Sequence, residues 1–250
     1  MIAAEILKLR RNRPLMAFAA LLSIGAVVLV FGYSALEHAT NPKMNGPAGG
    51  DLGFSRAVRL GGLFFGALAA ALIGGEAGTA DVSSGVFRDL VATGRSRWSL
   101  FAVRLPAALL VTLALNLTAL ALGTVLTFAL AGGQPTPGAG VIADAFLWLV
   151  LANAVVVALA VGVGSLTGSR AVTLTGVIGW QTVATQLLER EPSLGSARDG
   201  LLNVALGQLM PVSGGYQGIT MAGGIAVAVI AGWFVIPSLL GLRRVVTEDA

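Results

Sequence analysis

Long stretches without a charged side chain dominate the chain, and short clusters between them gather nearly all of its charge. A helix that crosses a bilayer core needs about 20 mostly apolar residues. Leu15–Leu36 is uncharged for 22 residues and gives the first expected span. It is too long for the apolar core of a signal peptide, and no small-residue cleavage pattern follows it. Leu60–Gly75 is uncharged for 16 residues and reaches spanning length if Arg59 snorkels outward or Glu76 lies at the interface. Leu105–Ala131, with Pro106 expected in its first turn, Ala145–Ser169 and Ala171–Leu188 give three more. The uncharged stretch Gly200–Leu242 holds 43 residues, too many for one helix, and Met210-Pro211-Val212-Ser213-Gly214-Gly215 breaks it. Tyr216–Leu242 is then the sixth span. Leu201–Leu209 reads as a short helix that lies on the outer surface or dips back into the membrane.

Composition agrees with that pattern. Of the 250 residues, 56% are hydrophobic and only 11% charged, against roughly 25% charged in soluble domains. A soluble globule and a disordered chain are both excluded on these figures. Thirty-four glycines without a Gly-X-Y period fit helices packed closely in a bilayer. The expected fold class is an all-α integral membrane protein of six transmembrane helices, forming one domain over residues 1–250. It includes an N-terminal interfacial helix (1–14), a cytoplasmic segment between spans two and three (76–104) and an outer segment before span six (189–215).

The cations set the orientation through the positive-inside rule. With the N-terminus in the cytoplasm, the inner segments carry Lys8, Arg10, Arg11, Arg13, Arg88, Arg95, Arg97, Arg104, Arg170, Arg243 and Arg244. The outer segments carry Lys43, Arg56, Arg59, Arg190 and Arg198, so the ratio is 11 to 5. Both termini are therefore expected in the cytoplasm, with the chain crossing the cell inner (plasma) membrane several times. The net charge of +4 then faces anionic lipid headgroups, and nucleic acid is not an expected partner.

The chemistry available to the chain is narrow. There is no cysteine, and His38 is the single histidine, so thiolate and multi-histidine metal sites are excluded. Lys8 and Lys43 are the only lysines and neither precedes Ser or Thr, so no P-loop is present. No cofactor is expected on this chain. Every charge is expected at or beyond a span end, with Glu76 the borderline case, which disfavours ion coupling through a buried carboxylate. Uncharged polar groups do fall within spans: Asn116 and Thr118, Asn153, and Thr175, Gln181 and Gln186. They read either as hydrogen bonds between helices or, for Asn116, Asn153, Gln181 and Gln186, as the lining of a translocation path.

One cytoplasmic stretch stands out, running from Asp81 to Trp98. Val82, Val86, Leu90 and Val91 follow helical spacing on one face, Arg88 and Asp89 project elsewhere, and Gly94 is placed to end the helix. Arg95 and Arg97 would meet headgroups and Trp98 would anchor the next span. The residues alone fit an interfacial linker as well as a docking element. At the N-terminus, Ile2, Ile6 and Leu9 share a helical face, Lys8, Arg10, Arg11 and Arg13 lie elsewhere, and Pro14 breaks the helix before the first span.

Asp81, Gly85-Val86, Arg88, Leu90, Gly94, Ser96-Arg97 and Arg104 stand at the spacing of a motif in the membrane permease subunits of type-2 ABC (ATP-binding cassette) exporters, and the chain resembles that family. It departs from the family at Val86, where Thr is usual, and at Asp81, where Glu is commoner. The N-terminal helix and the segment Leu201–Leu209 are also similar to the family's layout. The resemblance implies a coupling helix formed by Asp81, Gly85, Val86, Arg88, Asp89, Leu90, Gly94 and Arg97 and docked on a separate cytoplasmic ABC ATPase. It further implies two copies of that ATPase, with ATP and Mg bound there, and a second permease as homodimer or heterodimer partner. The cargo would be an amphipathic or hydrophobic compound such as a drug, antibiotic, peptide or lipid. The rival expectations are an autonomous channel or secondary transporter, and a membrane-embedded lipid-processing enzyme.

Overall fold

A computed structural model describes residues 1–212 and 219–247, and no strand occurs among them. Five helices are long and apolar enough to cross a bilayer: α2 (Arg13–Thr40), α3 (Gly50–Ser83), α5 (Arg97–Ala129), α6 (Ala139–Thr167) and α9 (Gly223–Thr247). The chain is thus an all-helical, multi-pass membrane protein. Between them lie α1 (Ile2–Arg11), α4 (Val86–Ala92), α7 (residues 170–189) and α8 (Leu202–Gln208).

α7 occupies the place of the expected fifth span. Thr173, Thr175, Gln181, Thr182, Thr185 and Gln186 dilute its apolar character, and it is not one of the five. The expected start of the last span, Tyr216, and the break at Ser213-Gly214-Gly215 lie outside the described residues. Two of the long helices begin earlier than their uncharged cores suggest. α3 starts at Gly50, which brings Arg56 and Arg59 inside a helix. α5 starts at Arg97, so Pro106 sits in the helix interior rather than in its first turn.

α3 and α6 form the centre of the bundle, each mostly buried along its apolar window. Their contact is made of backbone against backbone. A Cβ on Gly78 would lie 2.7 Å from the Val161 carbonyl oxygen, and one on Gly74 2.8 Å from the Ala160 Cβ. On the opposite side of α6, a Cβ on Gly162 would meet the Pro237 carbonyl oxygen at 2.4 Å, and Gly241 packs on Gly162 itself. Lipid tails are as apolar as leucine, so helices in a membrane associate through close packing of this kind. α6 is therefore clamped between α3 and α9 by two glycine seams.

Three helices widen locally into π turns, α2 at Leu21–Gly25, α3 at Arg59–Phe65 and α7 at Trp180–Ala184. A π turn disturbs the regular backbone ladder, and side-chain donors gather beside two of these turns. Asn116 Nδ2 reaches the Gly66 carbonyl oxygen at 3.0 Å. Asn203 Nδ2 and Thr185 Oγ reach the Gln181 carbonyl oxygen at 3.1 and 2.8 Å.

α8 does not lie on a surface. Leu202, Val204, Ala205 and Leu206 are buried, and Trp148 Nε1 donates to the Leu206 carbonyl oxygen at 2.9 Å. At the end of the bundle away from α1, the chain between α2 and α3 is tied to the turn between α5 and α6. Gly49 N–H donates to Leu130 and Asp51 N–H to Pro135, at 2.9 and 2.8 Å.

Backbone on both sides of the α6 seam cannot give way as a side chain can, so Gly162→Val should lower the thermal midpoint of the detergent-solubilised protein by the equivalent of about 1–3 kcal/mol. Gly176→Ala, where an added Cβ meets nothing within 4 Å, should leave the midpoint within a degree or two. Fluorescence-detected size-exclusion melting of the two variants compares them directly.

Candidate functional site

The chain turns sharply after α3 because Gly85 adopts a left-handed conformation (φ 74°). Gly94, at φ 83°, ends α4 in the same way; side chains with a Cβ rarely accept this backbone geometry. The break at Gly85 separates Val82 from Val86, so helical spacing across it has no meaning. Val82 and Val86 are both exposed, and the inward face of α4 is Phe87, Leu90 and Val91. The expected apolar face is corrected on this point. Arg88 and Asp89 project outward as expected, Gly94 and Arg95 are exposed, and Arg97 is partly buried at the first position of α5.

Beneath α4 lies a buried ion cluster. The Arg104 side chain is fully buried. Its Nη2 donates to Asp81 Oδ2 at 3.1 Å, and its Nη1 lies 3.3 Å from Ser165 Oγ and 3.4 Å from the Gly78 carbonyl oxygen. The guanidinium carbon stands 5.7 Å from the centroid of the Phe87 ring, a cation–π distance. The other Asp81 oxygen accepts from Lys8 Nζ at 2.8 Å, and Lys8 also pairs with Glu5 at 2.6 Å. Two cations thus face two carboxylates, which is the condition under which charge is tolerated in an apolar interior.

The burial of this cluster was not expected, although both residues of the pair stand near helix ends, Asp81 in the last turn of α3 and Arg104 in the early turns of α5. Lys8, expected with the headgroup-facing cations, turns inward to Asp81. A signal for the cluster was present in the chain: Arg104 is flanked by Leu100, Phe101, Val103 and Leu105, and a cation in that setting needs a carboxylate. A second joint lies alongside it. Glu76 accepts from Asn12 Nδ2 at 2.9 Å and pairs with Arg170 Nε at 3.1 Å. Together the two joints fasten α1, the α1–α2 elbow, α4 and the starts of α5 and α7 to the end of α3.

The four residues expected along a translocation path fall into different surroundings. Asn116 and Asn153 come together, both buried, in a closed cluster. Ser23 Oγ donates to Asn116 Oδ1 at 2.5 Å, Asn116 Nδ2 to Asn153 Oδ1 at 2.6 Å, and Asn153 Nδ2 to the Leu149 carbonyl oxygen at 2.7 Å. Their polar groups are used between helices inside the subunit. Gln181 is buried, and its carboxamide finds no protein partner. Gln186 is exposed and lines a cavity of about 280 Å³ with Arg59, Leu60, Leu63, Phe64, Glu189 and Asn203. His38 Nδ1 lies 2.8 Å from the Asn45 carbonyl oxygen, in the last turn of α2. Among the described residues, no three His, Asp or Glu side chains are grouped to hold a metal ion.

No family model, curated protein or solved structure matches the chain.

The ion cluster should behave as a unit. Arg104→Met leaves a buried carboxylate short of a partner and should cost about 3–5 kcal/mol, read as loss of monodisperse protein. The double variant Asp81→Leu/Arg104→Met should recover a large part of that loss, which additive costs would not allow. Within the bundle, Asn116→Leu should cost about 1–3 kcal/mol by stranding Ser23 and Asn153. Gln181→Leu, which strands nothing, should leave the midpoint unchanged or raised.

Proposed function

We propose that the chain is the membrane-spanning permease subunit of an ATP-driven ABC exporter of type-2 layout, moving an amphipathic or hydrophobic compound. The observation that carries this reading is the mounting of α4. It is a short helix at the basic end of the bundle, with Val86, Arg88 and Asp89 turned outward, and its inner face is fixed to the core by Phe87 over the Arg104–Asp81 pair. A linker that merely obeyed the charge rule would not need a buried ion pair beneath it. A helix that passes force between a cytoplasmic motor and the spans does need such a footing.

On this reading α2, α3, α5, α6, α7 and α9 are six spans of the cell inner membrane, with the basic end and both termini in the cytoplasm. α1 lies along the inner leaflet, and α8 is a segment folded back from the outer side. Two copies of an ABC ATPase bind beneath, supplying ATP and Mg, and a second permease completes the assembly. Val86, Arg88 and Asp89 meet the ATPase, with Gly85 and Gly94 setting the bends of the loop. Asp81, Leu90 and Arg97 act from behind as positioning residues. In the middle of the bundle Ser23, Asn116 and Asn153 are already hydrogen-bonded to one another, and Thr112 donates to the Ala108 carbonyl oxygen of its own helix, so on this reading the driving energy is supplied from outside it.

An ion-coupled transporter working alone has one observation in its favour, the carboxylate of Asp81 buried in a membrane helix. That carboxylate is already matched by Arg104 and Lys8, as a structural joint requires.

Purification from native membranes in mild detergent should recover a P-loop ATPase with the chain. Arg88→Glu combined with Asp89→Arg should remove that ATPase by at least about tenfold while membrane insertion and thermal midpoint stay as in the parent. Unchanged co-purification and export in the double variant would remove α4 as the docking element. Transport by the chain alone in liposomes without ATP would replace the whole reading.

A further inference from the structure

The elbow between α1 and α2 carries three cations that the folded chain leaves unmatched. Arg10, Arg11 and Arg13 are exposed and form no ion pair among the described residues. Their neighbours differ: Lys8 is taken by Glu5 and Asp81, and Arg170 by Glu76. The elbow itself is fixed. Asn12 leaves the helical region (φ −75°, ψ 78°), its carboxamide oxygen accepts from the Leu15 N–H at 3.3 Å, and its Nδ2 donates to Glu76 at 2.9 Å. Pro14 then sets the first turn of α2. The three guanidinium groups are therefore displayed from a braced bend, and with Leu7 they line an open recess of about 610 Å³.

Apolar surface continues directly from this recess. Leu7, Phe18 and Leu21 are each more than half exposed, and Pro14, Phe18 and Leu21 follow one another along the outward face of the first membrane helix. Cationic forks at the head of an exposed apolar stripe match a molecule with a phosphate at one end and hydrocarbon at the other. Guanidinium pairs bidentately with phosphate oxygens, which an ammonium does not.

We propose that this elbow is a binding site for anionic phospholipid, with the phosphate held by Arg10, Arg11 and Arg13 and an acyl chain lying along Phe18 and Leu21. This does not rest on the export reading, since it involves neither α4 nor an ATPase. It gives α1 a role of its own. A lipid held there anchors the helix whose Lys8 completes the buried ion cluster, so lipid charge and the stability of the basic end are linked.

The test uses the full chain in nanodiscs of phosphatidylcholine, to which phosphatidylglycerol with the same acyl chains is added. Native mass spectrometry reads retained lipid, and thermal melting reads stability. Phosphatidylglycerol should be retained selectively and should raise the midpoint. Arg10→Gln/Arg11→Gln/Arg13→Gln should weaken that preference by roughly 100-fold, with an unchanged midpoint in pure phosphatidylcholine showing that it folds. The control Arg95→Gln/Arg243→Gln, which removes exposed cations away from the elbow, should keep the preference. Equal retention of the two lipids, or an equal loss in the control, would overturn the site. Stabilisation by inorganic phosphate or glycerol phosphate as large as that by the lipid would overturn the lipid assignment.

Discussion

A guanidinium that loses all contact with water must find its charge, its hydrogen bonds and its packing within the protein. The Arg104 Nη1 and Nη2 groups do so with Asp81, Ser165 and the Gly78 carbonyl oxygen beside the ring of Phe87, while Nε stays without a hydrogen bond. Those partners come from two membrane helices, α3 and α6, and from α4 in the loop between α3 and α5. Satisfying one buried cation therefore fixes the relative positions of α3, α4, α5 and α6 at a single point. Lys8 and Glu5 extend the same cluster to the N-terminal helix. If the pair were absent, α4 would be held by little more than the three apolar side chains on its inner face.

The two ends of the molecule are built differently. At the basic end, ion pairs bind four elements together, α1, α3, α5 and α7. At the opposite end the fastening is made by backbone, with loop amides donating to carbonyl oxygens of the neighbouring turn. Between them, the glycine seams along α6 hold the bundle at backbone contact, and the cluster of Ser23, Asn116 and Asn153 ties α2, α5 and α6 together at mid-bundle. An apolar medium strengthens each of these polar contacts and makes an unmatched one costly.

Uncharged runs in the chain were enough to locate the cores of four of the five long helices, because a bilayer demands length and apolarity and little else. The last helix was legible in its core, though its expected start falls outside the described residues. Helix ends were less legible. α3 and α5 extend well past their apolar cores, since Arg56 and Arg104 are carried inside a helix once Ser34 and Asp81 receive them. The character of α7 was blurred by its threonines and glutamines. In the loop, the two glycines that bend the chain are recognisable, but the left-handed turn at Gly85 interrupts the helical spacing that would put Val82 and Val86 on one face. The inward turn of Lys8 could not be read from periodicity at all, because it depends on a carboxylate 73 positions away.

On the proposed reading, the outward face of α4 docks a cytoplasmic ATPase while its inward face is locked to the bundle. The chain has no cysteine, so a single cysteine introduced along α4 is the only one available to a crosslinker. Native membranes holding the chain and its co-purifying ATPase should give crosslinked heterodimer from Val86→Cys, Arg88→Cys and Asp89→Cys. Phe87→Cys and Val91→Cys should give none. Crosslinking that favours positions 87 and 91, or that is absent along the whole helix while the ATPase remains bound, would rule out docking through the outward face of α4.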